Sequence, residues 1–334
     1  MEETILVTGG AGYVGSHVVA DLVDRGNQVV VFDNLQQGHA QAVVDGATLI
    51  AGDLADRYAV RELFAKHRID SVMHFAANSL VGESMKYPFR YLRDNVSNAV
   101  NLIESAVEFD VKKFVFSSTC AIFGNPERVP IDEAVPIDPG SPYGESKFLI
   151  ERVLRWAEEI YGMNYAALRY FNAAGAHPTI AIGENHDPET HLIPIALQVA
   201  ARQRSHLDIF GDDYATPDGT CVRDYIHVCD LADAHIRVLQ VLEERSCQYN
   251  VGTGHGFSVR EVIDAVNRVA GVQIPVRVAD RRPGDPAVLV AASDKIKADL
   301  GWNPRFSHMD TIVETAWNWA QTHPRGYTVA AAAE

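Results

Sequence analysis

The chain has 334 residues, of which 47% are hydrophobic and 22% are charged, and this composition is typical of a globular protein with a sizeable buried core. Its formal net charge of −15 leaves no uncompensated basic surface, which excludes a general binder of nucleic acids or of anionic membranes. No apolar run approaches the length of a membrane span, and the N-terminus enters a strand pattern without a signal peptide.

Short apolar runs alternate with helix-length segments along the first half of the chain. They lie at residues 4–8, 28–32, 48–50, 71–75, 113–116 and 165–170. Runs without polar alternation are typical of parallel strands that are buried on both faces. Their alternation with helices predicts an α/β fold with a doubly wound, Rossmann-like parallel sheet, whose main body we place at residues 1–172.

Beyond residue 172 the pattern changes. Residues 173–191 are rich in Gly, Pro, Asn and His, which predicts a long irregular loop of the functional kind. A strand at 207–210 and helices over 228–243, 258–269 and 310–322 predict a smaller α/β lobe. We assign residues 173–334 to this second lobe, with chain crossings between the lobes around 222–250 and a frayed tail at 330–334.

A glycine-rich turn follows the first strand and opens the first helix. Gly9, Gly12 and Gly15 have the spacing that brings backbone close to a pyrophosphate at a helix N-terminus. A tight turn without a ligand is the alternative, but the position after the first strand favours a dinucleotide site. Asp33 ends the second strand, where a carboxylate binds ribose hydroxyls and repels a 2′-phosphate, so the sequence favours NAD over NADP.

Tyr143 and Lys147 lie one helical turn apart, on a helix that Ser141 caps and Pro142 begins. Residues four apart share a face of a helix. A cation about 4 Å from a phenol stabilises the phenolate by up to ~4 kcal/mol at an effective dielectric near 20. We therefore expect the pKa of Tyr143 to be lowered toward ~7, which makes it a general base, although such a pair also occurs in ordinary amphipathic helices.

A hydroxyl at the end of the fifth strand completes the predicted catalytic set. We choose Thr119 over Ser118 because residues alternate faces at a strand end, and the carboxyl edge is where such sheets bind ligands. Lys147 has a second expected role in binding the nicotinamide ribose. Hydroxyl, phenol, ammonium and dinucleotide together predict hydride and proton transfer at a secondary alcohol.

The motifs of both lobes resemble a known family. The glycine turn, Asp33-Asn34, Asp53, the Ser-Ser-Thr strand end and the Tyr143/Lys147 pair resemble the extended short-chain dehydrogenase/reductases. The second-lobe motifs are more specific and resemble the UDP-glucose 4-epimerase family, so that the resemblance covers nearly the whole chain. They are Leu-Arg-Tyr-Phe-Asn at 168–172, Gly-Ala-His-Pro at 175–178, Asp-Gly-Thr at 218–220, Val-Arg-Asp-Tyr-Ile-His-Val at 222–228 and Arg-Arg-Pro-Gly-Asp at 281–285.

The resemblance implies a mechanism and a set of ligand contacts. Tyr143 would take the proton of the sugar 4-hydroxyl while hydride leaves C4 for NAD, and the 4-keto sugar would rotate before the hydride returns. The implied cofactor contacts are Gly9, Gly12, Tyr13, Val14, Gly15, Asp33, Asn34, Asp53, Leu54, Phe75, Ala76, Ala77, Asn95, Thr119, Tyr143, Lys147 and Phe171. The implied contacts to the UDP-sugar are Thr119, Tyr143, Asn172, His191, Leu192, Phe210, Arg223, Arg282 and Asp285, of which the two arginines would clamp the diphosphate.

Three positions depart from the pattern of some relatives. Ser79 stands where some carry lysine, His191 where some carry asparagine, and Leu289 where some carry a bulkier aromatic residue. A smaller residue at 289 leaves open a 4-epimerase of another nucleotide sugar, such as a UDP-N-acetylhexosamine or a UDP-pentose. A 4,6-dehydratase is disfavoured because Cys120 and Ala121 replace an acidic pair, and a non-catalytic NAD-binding regulator is disfavoured by the intact catalytic residues.

Further expectations concern metals, location and assembly. The thirteen histidines include no His-Glu-x-x-His pattern, so no metal centre is expected. The four cysteines show no Cys-x-x-Cys pairing and predict reduced thiols in a cytoplasmic protein. The family resemblance implies a homodimer, with the helix predicted over 96–107 as a candidate interface.

Overall fold

A computed structural model of the protein describes residues 3–282 and 285–327. The predicted tail at 330–334 and two residues of the predicted arginine motif, 283 and 284, lie outside them. The strands are β1 (Thr4–Thr8), β2 (Gln28–Asp33), β3 (Ala47–Ala51), β4 (Ser71–His74), β5 (Lys113–Ser117), β6 (Asn164–Tyr170), β7 (Asn172–Ala174), β8 (Leu207–Phe210), β9 (Val222–His227), β10 (Cys247–Val251), β11 (Gly256–Ser258), β12 (Val276–Ala279) and β13 (Val288–Leu289). The helices are α1 (Tyr13–Asp24), α2 (Arg57–Lys66), α3 (Val81–Ser84), α4 (Pro88–Tyr91), α5 (Asn98–Glu108), α6 (Pro142–Tyr161), α7 (Leu192–Ala200), α8 (Val228–Val241), α9 (Val259–Ala270), α10 (Asp294–Leu300) and α11 (Met309–Thr322).

The first lobe is built on a seven-stranded parallel sheet with the order β10-β6-β5-β4-β1-β2-β3. Helices cover both faces, since α1 and α8 contribute to one apolar cluster and α2, α5 and α6 to the other. The middle residues of β1 and β5, at 5–7 and 114–116, are apolar because both faces of the sheet are covered there. The predicted doubly wound sheet is confirmed.

One strand of this sheet comes from late in the chain. β10 pairs with β6 in parallel, with Cys247 opposite Ala166, and α8 precedes it on the sheet surface. Both elements follow the first strands of the second lobe, so the chain passes from the first lobe to the second and back. Crossings around residues 222–250 were predicted from the sequence, but β10 itself was not.

The second lobe has two small sheets and a cluster of helices. β9 pairs with β7, β11 and β13, and β8 pairs with β12. α7, α9 and α11 pack around a shared apolar core that includes Ile193, Val262 and Ile312. β7 was wrongly placed in the irregular loop, because a three-residue strand is defined by its pairing with β9 and not by its composition. Within the described residues no helix has the length and apolarity needed to cross a membrane.

Candidate active site

The predicted hydroxyl and phenol meet where β5 ends and α6 begins. Thr119 caps a short 3-10 turn by accepting a hydrogen bond from the amide of Ala121 at 3.1 Å. Its hydroxyl also lies close enough to the phenol of Tyr143 to lower the pKa of that phenol, and Tyr143 lies in the first turn of α6 and is 8% exposed. A Cβ on Gly144 would lie 2.5 Å from the carbonyl oxygen of Ala121, so a glycine is needed where α6 approaches the turn.

Lys147 lies beside this pair and is 3% exposed. Its Nζ donates a hydrogen bond to the Ser117 carbonyl oxygen at 2.8 Å and lies 5.9 Å from the centroid of the Tyr143 ring. Burial lowers the pKa of Lys147 to about 7, because no carboxylate compensates the desolvated ammonium. Ser117 is the only hydrogen-bond acceptor that the described residues give this group, which leaves donors for a ligand.

The pKa of Tyr143 differs from the sequence expectation. Burial raises it well above the usual value for tyrosine, the charge of Tyr170 raises it further, and the nearby Thr119 hydroxyl offsets this increase only in part. Lys147 does not lower it, since the buried amine is itself a weak cation near neutral pH. The prediction that the lysine alone brings the Tyr143 pKa toward ~7 is therefore wrong for the chain without ligands.

A buried ion pair lies beneath the catalytic residues. Arg169 donates two hydrogen bonds to Glu151, at 3.1 and 2.6 Å, and the hydroxyl of Ser118 donates a third at 2.6 Å. Ser118 is therefore engaged by Glu151, while the Thr119 hydroxyl lies near Tyr143. Glu151 was missed in the sequence, although it continues the four-residue spacing of Tyr143 and Lys147 on one face of α6.

The glycine turn forms a narrow backbone cradle at the N-terminus of α1. A Cβ on Gly9 would lie 2.4 Å from the amide nitrogen of Ala76, and one on Gly15 would lie 2.2 Å from the Gly9 carbonyl oxygen. The N-cap, Gly12, provides no side-chain hydrogen bond, and the first turn contains no acidic residue. The amides of Tyr13 and Val14 therefore have no intrahelical partners, as a phosphate site requires.

Asp33 connects this cradle to the end of β2. Its carboxylate accepts hydrogen bonds from the amides of Ala11 at 3.0 Å and Leu35 at 2.8 Å. Asn34 donates to the carboxylate of Asp53 at 3.0 Å, which joins the ends of β2 and β3. The sequence-predicted acidic residues of the cofactor site are thus brought to one edge of the sheet.

The remaining predicted cofactor residues lie in different surroundings. Leu54 and Phe171 are buried, Phe75 is half-buried against His235, and Ala77 is exposed. Asn95 is buried and donates both amide hydrogens within the protein, to the Asn78 carbonyl oxygen and to Ser146, each at 3.0 Å. It therefore braces the loop after β4 against α6.

Tyr13 has its side chain directed away from the cradle. Its hydroxyl donates a hydrogen bond of 2.6 Å to the carbonyl oxygen of Gly175 in the second lobe. Its ring contacts His186 edge-on, with the centroids 6.1 Å apart. Tyr13 thus offers a cofactor its backbone amide, while its side chain joins the two lobes.

The predicted substrate residues form two groups. Asn172, His191 and Leu192 line a small cleft of about 30 Å³ between β7 and the start of α7, together with Glu184 and Tyr225. The Nδ1 atom of His191 faces carboxylates, at 2.7 Å from Glu184 and 3.2 Å from Glu189.

The second group joins β8, β9, Arg282 and Asp285. Arg223 forms an ion pair with Asp285, and its other guanidinium nitrogen donates to the Val222 carbonyl oxygen at 2.8 Å. The guanidinium of Arg282 stacks 4.0 Å from the centroid of the Phe210 ring. Four of the predicted substrate residues therefore pair with one another, which the sequence did not indicate.

Comparisons with known proteins show the family to which the chain belongs. Residues 5–252 match the model of the NAD dependent epimerase/dehydratase family. The chain belongs to this family. A UDP-glucose 4-epimerase of Halalkalibacterium halodurans is 53% identical over 326 residues, which are 97% of this chain and 97% of that protein.

Solved structures extend the comparison to three dimensions. A crystal structure of UDP-glucose 4-epimerase superposes with a TM-score of 0.96 at 52% identity, covering 98% of this chain and 100% of the other. The enzyme of Bifidobacterium longum, in complex with NAD+ and UDP, gives a TM-score of 0.93 at 36% identity, with coverage of 97% and 100%. The resemblance to the UDP-glucose 4-epimerases, predicted from the motifs, is confirmed.

Proposed function

We propose that the protein is an NAD-dependent UDP-glucose 4-epimerase, which interconverts UDP-glucose and UDP-galactose by transient oxidation at C4 of the sugar. The observation that carries the proposal is the proximity of the Thr119 hydroxyl and the Tyr143 phenol beside a buried Lys147, at the carboxyl edge of the sheet. That arrangement serves proton transfer at a carbinol next to a nicotinamide. The sequence similarity to enzymes of this name supports the choice of substrate.

The first lobe fits NAD. A Cβ on Gly9 or Gly15 would clash with neighbouring backbone, so only glycine allows this tight turn. The turn brings backbone amides close to a pyrophosphate. Asp33 at the end of β2 suits a ribose diol and disfavours a 2′-phosphate. When bound, the oxidised nicotinamide supplies a hydride acceptor and a positive charge near the phenol.

The chain's own residues handle the proton. Tyr143 takes the proton of the sugar 4-hydroxyl and later returns it, and Thr119 orients that hydroxyl through its contact with the phenol. Lys147, fixed by the Ser117 carbonyl oxygen, holds the nicotinamide ribose with its remaining donors. Because the pKa of Tyr143 is raised in the chain alone, proton abstraction depends on the charge that arrives with the cofactor.

The second lobe would hold the nucleotide end of the substrate. Arg223 and Arg282 are the proposed diphosphate contacts, and both are already oriented, by Asp285 and by Phe210 respectively. A firmly held diphosphate leaves the sugar free to turn, so that the 4-keto intermediate presents either face to the cofactor. Asn172 and Leu192 in the neighbouring cleft complete the proposed substrate contacts.

A dehydratase reaction has less support. Elimination of water needs an acid and a base next to Thr119, but Cys120 and Ala121 follow it. Burial raises the pKa of the Cys120 thiol to about 12, so that it does not exchange protons near neutral pH.

The proposal is tested by incubating the purified chain with UDP-glucose or UDP-galactose, with no cofactor added, and resolving the products by chromatography. Each sugar should yield the other. A perchloric acid extract should contain NAD in near-stoichiometric amount, since the cofactor is regenerated in every turnover. An extract with NAD but no epimerisation would indicate an NAD-binding regulator, and an extract from active protein without NAD would contradict the mechanism.

A second candidate substrate is a UDP-N-acetylhexosamine or a UDP-pentose. Leu289 in β13 lies opposite Arg223 in β9, and an aliphatic residue there leaves room that a larger aromatic ring would fill. The same chromatographic assay with a panel of UDP-N-acetylhexoses and UDP-pentoses decides this point. Leu289→Tyr should then lose the N-acetylated substrates and retain UDP-glucose.

We also propose a homodimer in the cytoplasm. Val100 on α5 and Trp156 and Ile160 on α6 expose apolar side chains, with Ile160 63% exposed, on two adjacent helices. Such a patch supports an interface between copies, and light scattering of the wild type and of Ile160→Glu tests it. The four cysteines are free thiols, which supports a reducing compartment.

A further inference from the structure

Two histidines and two glutamates converge in the loop between β7 and α7. Glu184, His186, Glu189 and His191 each provide one ligand atom, and these four atoms all lie within 4.8 Å of one another. We call them the Glu–His cluster. In the sequence, the cluster corresponds to two Glu-x-His pairs that begin five residues apart, at Glu184 and Glu189. This spacing differs from the helical His-Glu-x-x-His pattern of metal-binding helices.

The spacing of the ligand atoms suits a metal ion. The Nδ1 atom of His186 lies 3.1 Å from Glu184 and 3.7 Å from Glu189, and that of His191 lies 2.7 and 3.2 Å from the same two residues. Four ligands at ~2.0–2.2 Å from a tetrahedral zinc ion are separated by about 3.3–3.6 Å. The four atoms lie within 4.8 Å of one another, so inward shifts of up to about an ångström would convert the cluster into a coordination sphere.

Two atoms of the cluster are buried without a hydrogen-bond partner. They are Oε1 of Glu184 and Nδ1 of His186, which approach to 3.1 Å but are not aligned for a hydrogen bond. The Glu184 side chain is only 7% exposed. Oε1 of Glu184 also lies 2.7 Å from Nδ1 of His191, again without a hydrogen bond. Buried polar atoms without hydrogen-bond partners are uncommon, and a bound ion is one explanation for them.

The backbone of the loop is held in place from outside the cluster. The indole of Trp319 donates to the Glu184 carbonyl oxygen at 3.2 Å, and Nε2 of His39 lies 3.1 Å from the carbonyl oxygen of Asn185. Glu189 accepts hydrogen bonds from the amides of Thr190 at 2.7 Å and His191 at 2.8 Å, which orients its carboxylate. Such outer contacts preorganise ligands, and the 45% exposed side chain of His191 provides a route from solvent.

We propose that the Glu–His cluster binds one divalent first-row transition metal ion, such as Zn2+, and thereby fixes the wall of the cleft formed by Glu184 and His191. Two imidazole nitrogens and two carboxylate oxygens suit such an ion. The proposal concerns metal binding alone and does not depend on the epimerase activity.

The competing interpretation is a pair of Glu–His ion pairs without metal. Burial disfavours the imidazolium forms, but Glu184 and Glu189 outweigh it and raise the pKa of His186 to about 9 and that of His191 to about 10. A metal ion would replace these protons, because only neutral imidazole coordinates. The ion-pair interpretation therefore predicts protein without bound zinc, whereas the metal-site interpretation predicts protein that binds zinc.

The experiment uses the full chain, stripped with EDTA, dialysed against Zn2+ and analysed by inductively coupled plasma mass spectrometry. About one zinc per chain is expected, and Co2+ in its place should give a visible spectrum that differs from that of hexaaqua Co2+. His186→Ala and Glu189→Gln should each weaken Zn2+ binding at least ~10-fold in a competition titration with a chromophoric chelator. His206→Ala is the matched control, because His206 lies 3.6 Å from Asp208 outside the cluster and should leave binding unchanged.

The outcomes are separable. Wild-type protein that holds no zinc above the dialysis buffer, or a Co2+ spectrum unchanged from the aqua ion, overturns the proposal in favour of ion pairs. Equal zinc affinity in His186→Ala and wild type also overturns it, because the metal would then be bound elsewhere. The Co2+ spectrum of the wild type decides the matter even where a variant does not fold.

Discussion

The ammonium nitrogen of Lys147 lies 5.9 Å from the centroid of the Tyr143 ring and donates its hydrogen bond to the Ser117 carbonyl oxygen instead. The lysine is thus anchored to the sheet, next to the phenol but not bonded to it. This geometry is consistent with the separate roles proposed for them, with Tyr143 for the proton and Lys147 for the cofactor ribose. The raised pKa of Tyr143 follows from its burial.

Replacement of Tyr143 by phenylalanine should lower the epimerisation rate at least ~100-fold, since general acid–base catalysis contributes ~10²–10⁴. The ring and its packing remain, so the variant should fold and retain NAD. Turnover of UDP-galactose and the NAD content of the same preparation are the two measurements. A variant with the wild-type rate would show that another group is the base.

Lys147 should make the stability of nucleotide-free protein depend on pH. Burial lowers its folded pKa to about 7, while the unfolded value is near ~10.4. Below pH ~7 the Lys147 amine is protonated in both the folded and the unfolded protein, so the full cost of burying its ammonium group opposes folding. Between ~7 and ~10.4 the unfolded state binds more protons, so the free energy of unfolding contributed by this group rises with pH.

Urea denaturation of wild type and Lys147→Met at pH 7 and pH 9 measures this effect. The difference in free energy of unfolding between the variant and wild type should shrink as the pH rises, because the methionine lacks the ionisation. A difference that is constant with pH would mean that Lys147 is charged in the folded protein over this whole range.

Glu151→Gln should destabilise the fold by about 3–5 kcal/mol, because it leaves the buried Arg169 guanidinium without a counter-charge. The double variant Glu151→Leu with Arg169→Met removes both charges and should recover most of that loss. Urea unfolding monitored by circular dichroism measures all three proteins. A loss of less than ~1 kcal/mol in the single variant would contradict a tightly coupled buried pair.

Gly144→Ala should reduce turnover about 10- to 100-fold, since displacement of a reacting group by about 1 Å has effects of this size. Its Cβ would meet the Ala121 carbonyl oxygen at 2.5 Å and push α6, with Tyr143, away from Thr119. Gly82→Ala is the control, because a Cβ there meets nothing within 4 Å. Equal rates in both variants would mean that the approach of α6 to the turn does not set the geometry of the phenol.

Much of the fold and site followed from local pattern. The glycine spacing, Asp33 and the four-residue interval from Tyr143 to Lys147 are determined by short-range geometry, and apolar runs separated by helices define a parallel sheet. Late elements were less predictable. β7 and β10 exist because distant strands pair with them, and neither pairing leaves a local signal.

The sequence by itself determined which chemical groups the chain carries and how adjacent ones are spaced along a strand or helix. Only the tertiary structure decided their charge states and partners, because desolvation depends on everything packed around a group. It raised the pKa of Tyr143, lowered that of Lys147 and paired Arg223 with Asp285. It also folded one irregular loop so that two Glu-x-His pairs face each other, an arrangement that no helical or strand periodicity encodes.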